Sequence, residues 1–154
     1  MLPDEFDKNG EIVEMKKDAL SGSDYEALAN LRYTLRRFMD FSTSAAQEEG
    51  LPSQQHQALL AIKGHLAAEA MTIGMLANRL LIAPHTATEL VGRLSAAGLV
   101  ARNSDPEDKR RQTLILTEKA EAALLRLSAV HLKEIREMAP ELITILQRLQ
   151  KQMA

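Results

Sequence analysis

Three features of the 154-residue sequence predict a mainly α fold carrying one small β-hairpin. Apolar residues recur three and four apart through residues 24–49 and 117–153, the spacing that lines them along one face of a helix. Two short helical stretches meet at a tight turn within residues 72–97. Directly after them the period changes to that of two short strands over residues 99–116. The predicted architecture is therefore a helix pair and a hairpin set between two long terminal helices.

Residues 1–22 hold few large apolar side chains and many acids, and read as a flexible acidic arm with a short helix over Glu11–Leu20. Ser23-Asp24-Tyr25-Glu26 has the S-x-x-E spacing of a capping box, which predicts a helix start. Leu28, Leu31, Leu35, Phe38 and Ser42 form the stripe of that helix, and Arg32, Arg36 and Arg37 take its other faces. Gly50 stops it, as glycine commonly does one residue past a helix. Pro52-Ser53 opens a second helix over Gln54–Lys63, with Leu59 and Ile62 inward and Gly64 as its stop.

After a loop from His65 to Met71, Thr72 caps a short helix whose apolar members are Ile73, Leu76, Ala77 and Leu80. Leu81-Ile82-Ala83 makes the turn. Pro84, suited to a helix's first turn, opens the next helix, which runs to Ala97 and stops at Gly98. Its inner stripe is Ala87, Leu90, Val91 and Leu94. Its outer positions are His85, Thr86, Thr88, Glu89, Gly92 and Arg93.

Leu99–Arg102 and Gln112–Leu116 read as strands joined by the polar tip Asn103–Arg111. Thr117-Glu118-Lys119-Ala120 opens a long helix with Leu124, Leu127, Val130, Ile135 and Met138 on its apolar side. Ala139-Pro140 is expected to break it, because proline lacks the N–H and crowds the preceding turn. A last helix, Glu141–Gln152, carries Leu142, Ile145, Leu146, Leu149 and Met153. There are no internal repeats.

Composition removes whole classes of function. The absence of cysteine excludes a disulfide scaffold, a thiolate metal site, an iron–sulfur cluster and a thiol-based redox switch, and suits a reducing cytoplasm. The longest apolar run, Ala58–Ile62, is far short of the roughly 20 residues of a membrane span. The early acids of MLPDEFDKNG do not read as a secretory signal, so the N-terminus is expected to stay on. His56, His65, His85 and His131 lack ligand spacing to one another, so no metal or other cofactor is expected. No nucleophile triad, phosphate loop or catalytic carboxylate pair is found, and the chain is not expected to be an enzyme.

The formal net charge of −2 conceals a division. Residues 1–26 hold eight acids against three lysines, a net of −5, while residues 27–154 carry +3. The body of the chain is mildly basic.

Two short helices at a tight turn, the second with a polar outer face, followed by a hairpin with a basic tip, make a winged helix-turn-helix. The major groove of duplex DNA admits one α-helix, and Thr, His, Glu and Arg side chains can meet its base-edge donors and acceptors. A planar guanidinium suits the concentrated negative potential of phosphates or the minor groove, so Arg110 and Arg111 fit the tip, with Lys109 beside them. Asp105, Glu107 and Asp108 offset these cations. Glu89 repels phosphate unless it accepts from a cytosine amino group.

Leu90-Val-Gly-Arg93-Leu-Ser-Ala-Ala-Gly98-Leu-Val-Ala-Arg102, then Asp105-Pro-Glu-Asp108-Lys109-Arg110, then Leu116-Thr117-Glu118-Lys119, resembles the MarR family of bacterial transcriptional regulators. The resemblance spans roughly residues 24–154, and Ala120 stands where the family usually has glycine. It implies a homodimer whose helices at 24–49 and 117–153 interlock, with a winged domain at about 53–116. It also implies a pseudo-palindromic operator in double-stranded DNA and a small-molecule effector, often an aromatic acid. By the same resemblance Ala83–Ala97 is the recognition helix, Asp108 orients the wing and Arg110 enters the minor groove.

The expected function is a cytoplasmic, sequence-specific repressor released by an effector. Its DNA contacts are expected at His85, Thr86, Thr88, Glu89, Arg93, Asp108, Lys109, Arg110 and Arg111, with His56 the candidate effector contact. The competing reading is a winged-helix protein-interaction module that never touches DNA.

Overall fold

A computed structural model describes residues 20–151, in the order α1 (Gly22–Glu48), α2 (Ser53–Lys63), α3 (Ile73–Leu80), α4 (Pro84–Ala96), β1 (Val100–Ser104), β2 (Gln112–Leu116) and α5 (Glu118–Lys151). The chain divides into two compact units, residues 40–133 and the pair of segments before residue 40 and after residue 133. Most of the acidic arm, with the helix expected at Glu11–Leu20, lies outside the described residues, as does Met153.

The unit of residues 40–133 is built on one apolar cluster. Leu59, Leu76, Leu90, Val91, Leu94 and Leu127 are fully buried, joined by Leu99, Val100, Leu114 and Leu124. Burying each such side chain contributes on the order of 1.5–3 kcal/mol. The inner face of α4 is the expected one, Ala87, Leu90, Val91 and Leu94.

Its helix ends follow from local chemistry. Thr72 Oγ1 accepts the N–H of Met75 at 3.2 Å and starts α3. At the end of α3, Ile82 N–H donates to Ala77 O and Leu81 N–H to Asn78 O, a Schellman closure that places Leu81 at φ 56°. The same closure at the end of α4 uses Gly98 at φ 70°, where the left-handed backbone costs glycine nothing. Thr117 then locks α5 onto that turn. Its hydroxyl donates to Gly98 O at 2.7 Å and accepts from Ala120 N–H at 3.3 Å, while Lys119 Nζ donates to Ala97 O at 2.8 Å.

Strands β1 and β2 pair antiparallel, Val100 opposite Leu116 and Arg102 opposite Leu114. The segment expected as loop up to Met71 contributes to this sheet. Leu114 N–H donates to Met71 O at 2.8 Å, and Thr72 bridges Thr113. One bridging residue carries no period, so the sequence offers nothing to read there.

Two expectations fail in the other unit. The capping box is Ser21 with Asp24, not Ser23 with Glu26: Ser21 N–H donates to Asp24 Oδ2 at 2.8 Å, and Asp24 N–H to Ser21 Oγ at 3.3 Å. Asp24 is buried and sits 3.7 Å from Arg148 Nη2, whereas Glu26 is exposed to solvent, so the buried carboxylate takes the amide. The expected break at Ala139-Pro140 is also absent, for α5 is one helix with Pro140 inside it. Proline costs one i→i−4 bond. Ile145 is buried beyond it, and Arg148 bonds Ser23 and pairs with Asp24, so tertiary contacts on the far side hold the helix through the defect.

Candidate nucleic-acid interface

The outer face of α4 follows from its inner one. With Ala87, Leu90, Val91 and Leu94 turned inward, His85, Thr88, Glu89 and Arg93 are exposed and Thr86 is half-buried. Ala83 caps α4 without a side-chain bond, and Pro84 occupies its first turn, so the amides of His85 and Thr86 remain for water or an anion. Thr88 Oγ1 donates to Pro84 O at 3.1 Å, which leaves its acceptor lone pairs outward.

The hairpin tip is shaped by its own acids. Asp105 N–H donates to Arg111 O and Arg111 N–H to Asp108 O, each at 3.0 Å. Asp105 Oδ1 accepts Glu107 N–H at 2.9 Å, and Asp108 Oδ1 accepts Arg110 N–H at 3.0 Å. These Asx turns fix the backbone that carries Lys109 and Arg110, neither of which forms an ion pair among the described residues. Arg111 differs: its Nη2 lies 2.8 Å from Glu69 Oε2 in the loop before α3, which partly neutralises it. An open cleft of about 450 Å³ is lined by the first turn of α3 together with Asp108, Arg110 and Arg111. Wing cations and the N-terminal turn of α3 thus border one space suited to an anionic backbone.

His56 is placed elsewhere. It is 3 % exposed on α2, its ring centroid 4.9 Å from that of His131 on α5. His131 Nδ1 lies 2.7 Å from Leu127 O, and a carbonyl can only accept, so Nδ1 carries the proton. His131 Nε2, 2.8 Å from Ser42 Oγ, then accepts that hydroxyl in the neutral ring. His56 Nδ1 is buried with no partner among the described residues. Burial first, and then the neighbouring His131, hold the His56 imidazole below the ordinary histidine range. The sequence reading missed this pair, since positions 56 and 131 share no spacing that a single chain reveals.

Among the described residues, no group of three His, Cys, Asp or Glu is placed to hold a metal ion. No helix there is long and apolar enough to cross a membrane.

Residues 49–111 match the model of the MarR family. Over 76 residues the chain is 34% identical to the transcriptional activatory protein BadR of Rhodopseudomonas palustris, a match covering 49% of this chain and 43% of that relative. Its fold is similar to AbsC, a MarR family transcriptional regulator from Streptomyces coelicolor, with TM-score 0.68 at 20% identity over 84% of this chain and 90% of that one. It is also similar to the chain in the S. aureus MepR–DNA complex, with TM-score 0.64 at 16% identity over 79% and 91%. At those identities the two structures speak for the fold.

Proposed function

Residues 49–111 match the model of the MarR family, and from that match we propose that the chain is a cytoplasmic, homodimeric, sequence-specific regulator that binds double-stranded DNA. It acts by binding rather than by catalysis. The winged unit at about 53–116 reads the duplex, and the long helices α1 and α5 pair two copies across a pseudo-palindromic operator. The observation that carries the reading is the exposed row His85, Thr88, Glu89 and Arg93 beside a wing whose Lys109 and Arg110 have no carboxylate partner among the described residues. Thr86 and Arg111 complete the contact set, Arg111 after release from Glu69, and Asp108 orients the wing.

Repression by occlusion of a promoter asks only for binding, and we assign that direction to this chain. A small molecule, of the aromatic-acid class, is the release signal, with His56 its candidate contact. A chain without cysteine has no thiol to oxidise in its place.

Selection of bound duplexes from a genomic fragment pool, followed by a salt series on the winners, tests the reading. A duplex binder loses affinity linearly in log[salt]. Failure to retain any duplex would favour the protein-interaction module instead. A promoter fusion reads the sign: expression rising with the protein would reassign it as an activator, as the name of the Rhodopseudomonas relative describes that protein.

A further inference from the structure

Arg102 begins on the wrong side of the hairpin for a charged residue. Partners across an antiparallel pair share a face, and Arg102 lies opposite Leu114, which is buried in the core. The inward row of the wing is therefore Val100, Arg102 and Ser104, facing Leu116, Leu114 and Gln112. Val100 is buried, but Arg102 is exposed, so its stem leaves the edge of the core and carries the guanidinium out into water.

It leaves along α4. Arg102 Nη2 lies 3.9 Å from the point where a side chain on Gly92 would begin. Gly92 is an interior residue of α4, on the outward side between Glu89 and Arg93. Glycine there costs about 1 kcal/mol of helix propensity relative to alanine and is not needed for φ, which is not positive. A Cβ there would only touch the guanidinium, but a side chain longer than alanine's would take up the space beside the helix that the guanidinium occupies. No carboxylate pairs with Arg102 among the described residues.

We propose that Arg102 is a further DNA-contacting residue, a phosphate clamp at the groove rim, and that Gly92 is the residue that positions it. The proposal rests on the duplex-binding reading above. In helix-turn-helix docking the N-terminal residues of the recognition helix meet the base edges. Arg102 reaches the third turn of α4 from β1 rather than from the helix's own outer face, so its guanidinium meets the sugar-phosphate wall. A planar fork there grips a phosphate with two parallel N–H donors. Arg102 adds a cation from the core-facing row of β1 to those of the wing tip, on an interface whose net charge is small.

Fluorescence anisotropy on a selected duplex across a salt series tests this. Arg102→Gln should weaken binding about tenfold at 0.1 M salt and flatten the log–log salt slope by about 0.9 for each copy of Arg102 on the duplex. The order of preferred sequences should not change. Arg102→Lys should restore the slope. Gly92→Leu should weaken binding in the parent yet add little in the Arg102→Gln background, because both changes remove the same contact. Equal melting temperatures establish that the variants fold.

Unchanged affinity and slope for Arg102→Gln, in a protein that still loses affinity on Arg110→Ala, would overturn this proposal and leave the duplex reading standing. Fully additive losses for Gly92→Leu and Arg102→Gln would overturn the positioning role. A parent protein that binds no duplex would overturn both readings.

Discussion

The carboxylate of Asp108 accepts the backbone N–H of Arg110 at 3.0 Å, so the acid closest to the wing's cations is engaged in forming the turn that presents them. Charge and geometry then make opposite predictions for its removal. Asp108→Ala takes away a negative charge from a tip proposed to face phosphates, which alone would tighten binding. It also removes a bond worth about 1 kcal/mol to the conformation of the loop. Duplex affinity should fall for Asp108→Ala and hold for Asp108→Asn, which keeps an acceptor oxygen. Arg110→Ala should lose about tenfold on every duplex, with a shallower salt slope. Tighter binding by Asp108→Ala in anisotropy titrations would show that the turn does not depend on it.

The outer face of α4 should set sequence preference where the wing sets strength. Arg93→Ala and Thr88→Ala are expected to change which duplexes are selected, at about 1–3 kcal/mol per lost base contact. Thr88→Ala also removes the bond to Pro84 O, so its melting temperature is the control. A uniform loss across all sequences would move these residues from base edges to phosphates.

Leu81 sits at φ 56° with its side chain 92 % exposed, in the turn between α3 and α4. A left-handed leucine costs roughly 1–2 kcal/mol, and the exposed side chain regains nothing from the core. Leu81→Gly should therefore raise stability by about 1 kcal/mol, measured by urea unfolding, after glycine's larger unfolded-state entropy is allowed for. A loss of stability would mean that Leu81 is covered in the working assembly.

The described segments of α1 and α5 outside residues 40–133 expose Leu28, Leu35, Met39, Ile143 and Leu146, each more than two-fifths accessible. So much apolar surface calls for a partner, and a second copy is the proposed one. Ile143→Asp with Leu146→Asp should give monomers by light scattering and weaken duplex binding through lost half-site pairing. A persistent dimer would place the interface elsewhere.

His56 should make stability pH-dependent. Its folded pKa lies below the unfolded value near 6.5, so below that pH the unfolded chain binds a proton that the native state refuses. Stability is then full above the unfolded pKa near 6.5 and is lost as the pH falls through it toward the lowered folded value. His56→Leu should flatten that decline in thermal melts. An equal decline in the variant would assign it to other groups.

The sequence by itself determined the order of the elements, the inner stripe of α4, the Thr72 cap, the Gly50 and Gly98 stops and the polar tip. Each is a local matter, set by the 3.6-residue and 2-residue periods, by glycine's left-handed backbone and by the short reach of a hydroxyl. Tertiary structure decided what local rules leave free. Pro140 breaks an isolated helix, but burial of Ile145 and the ties of Arg148 to Ser23 and Asp24 outweigh one missing bond. Ser21 rather than Ser23 caps α1, because burial of Asp24 chose between two boxes of similar spacing. Met71 joined the sheet, His56 met His131 across 75 positions, and Arg102 came to lie beside Gly92. Contacts between distant positions leave no period in a single chain, and they exist only once the core has brought the elements together.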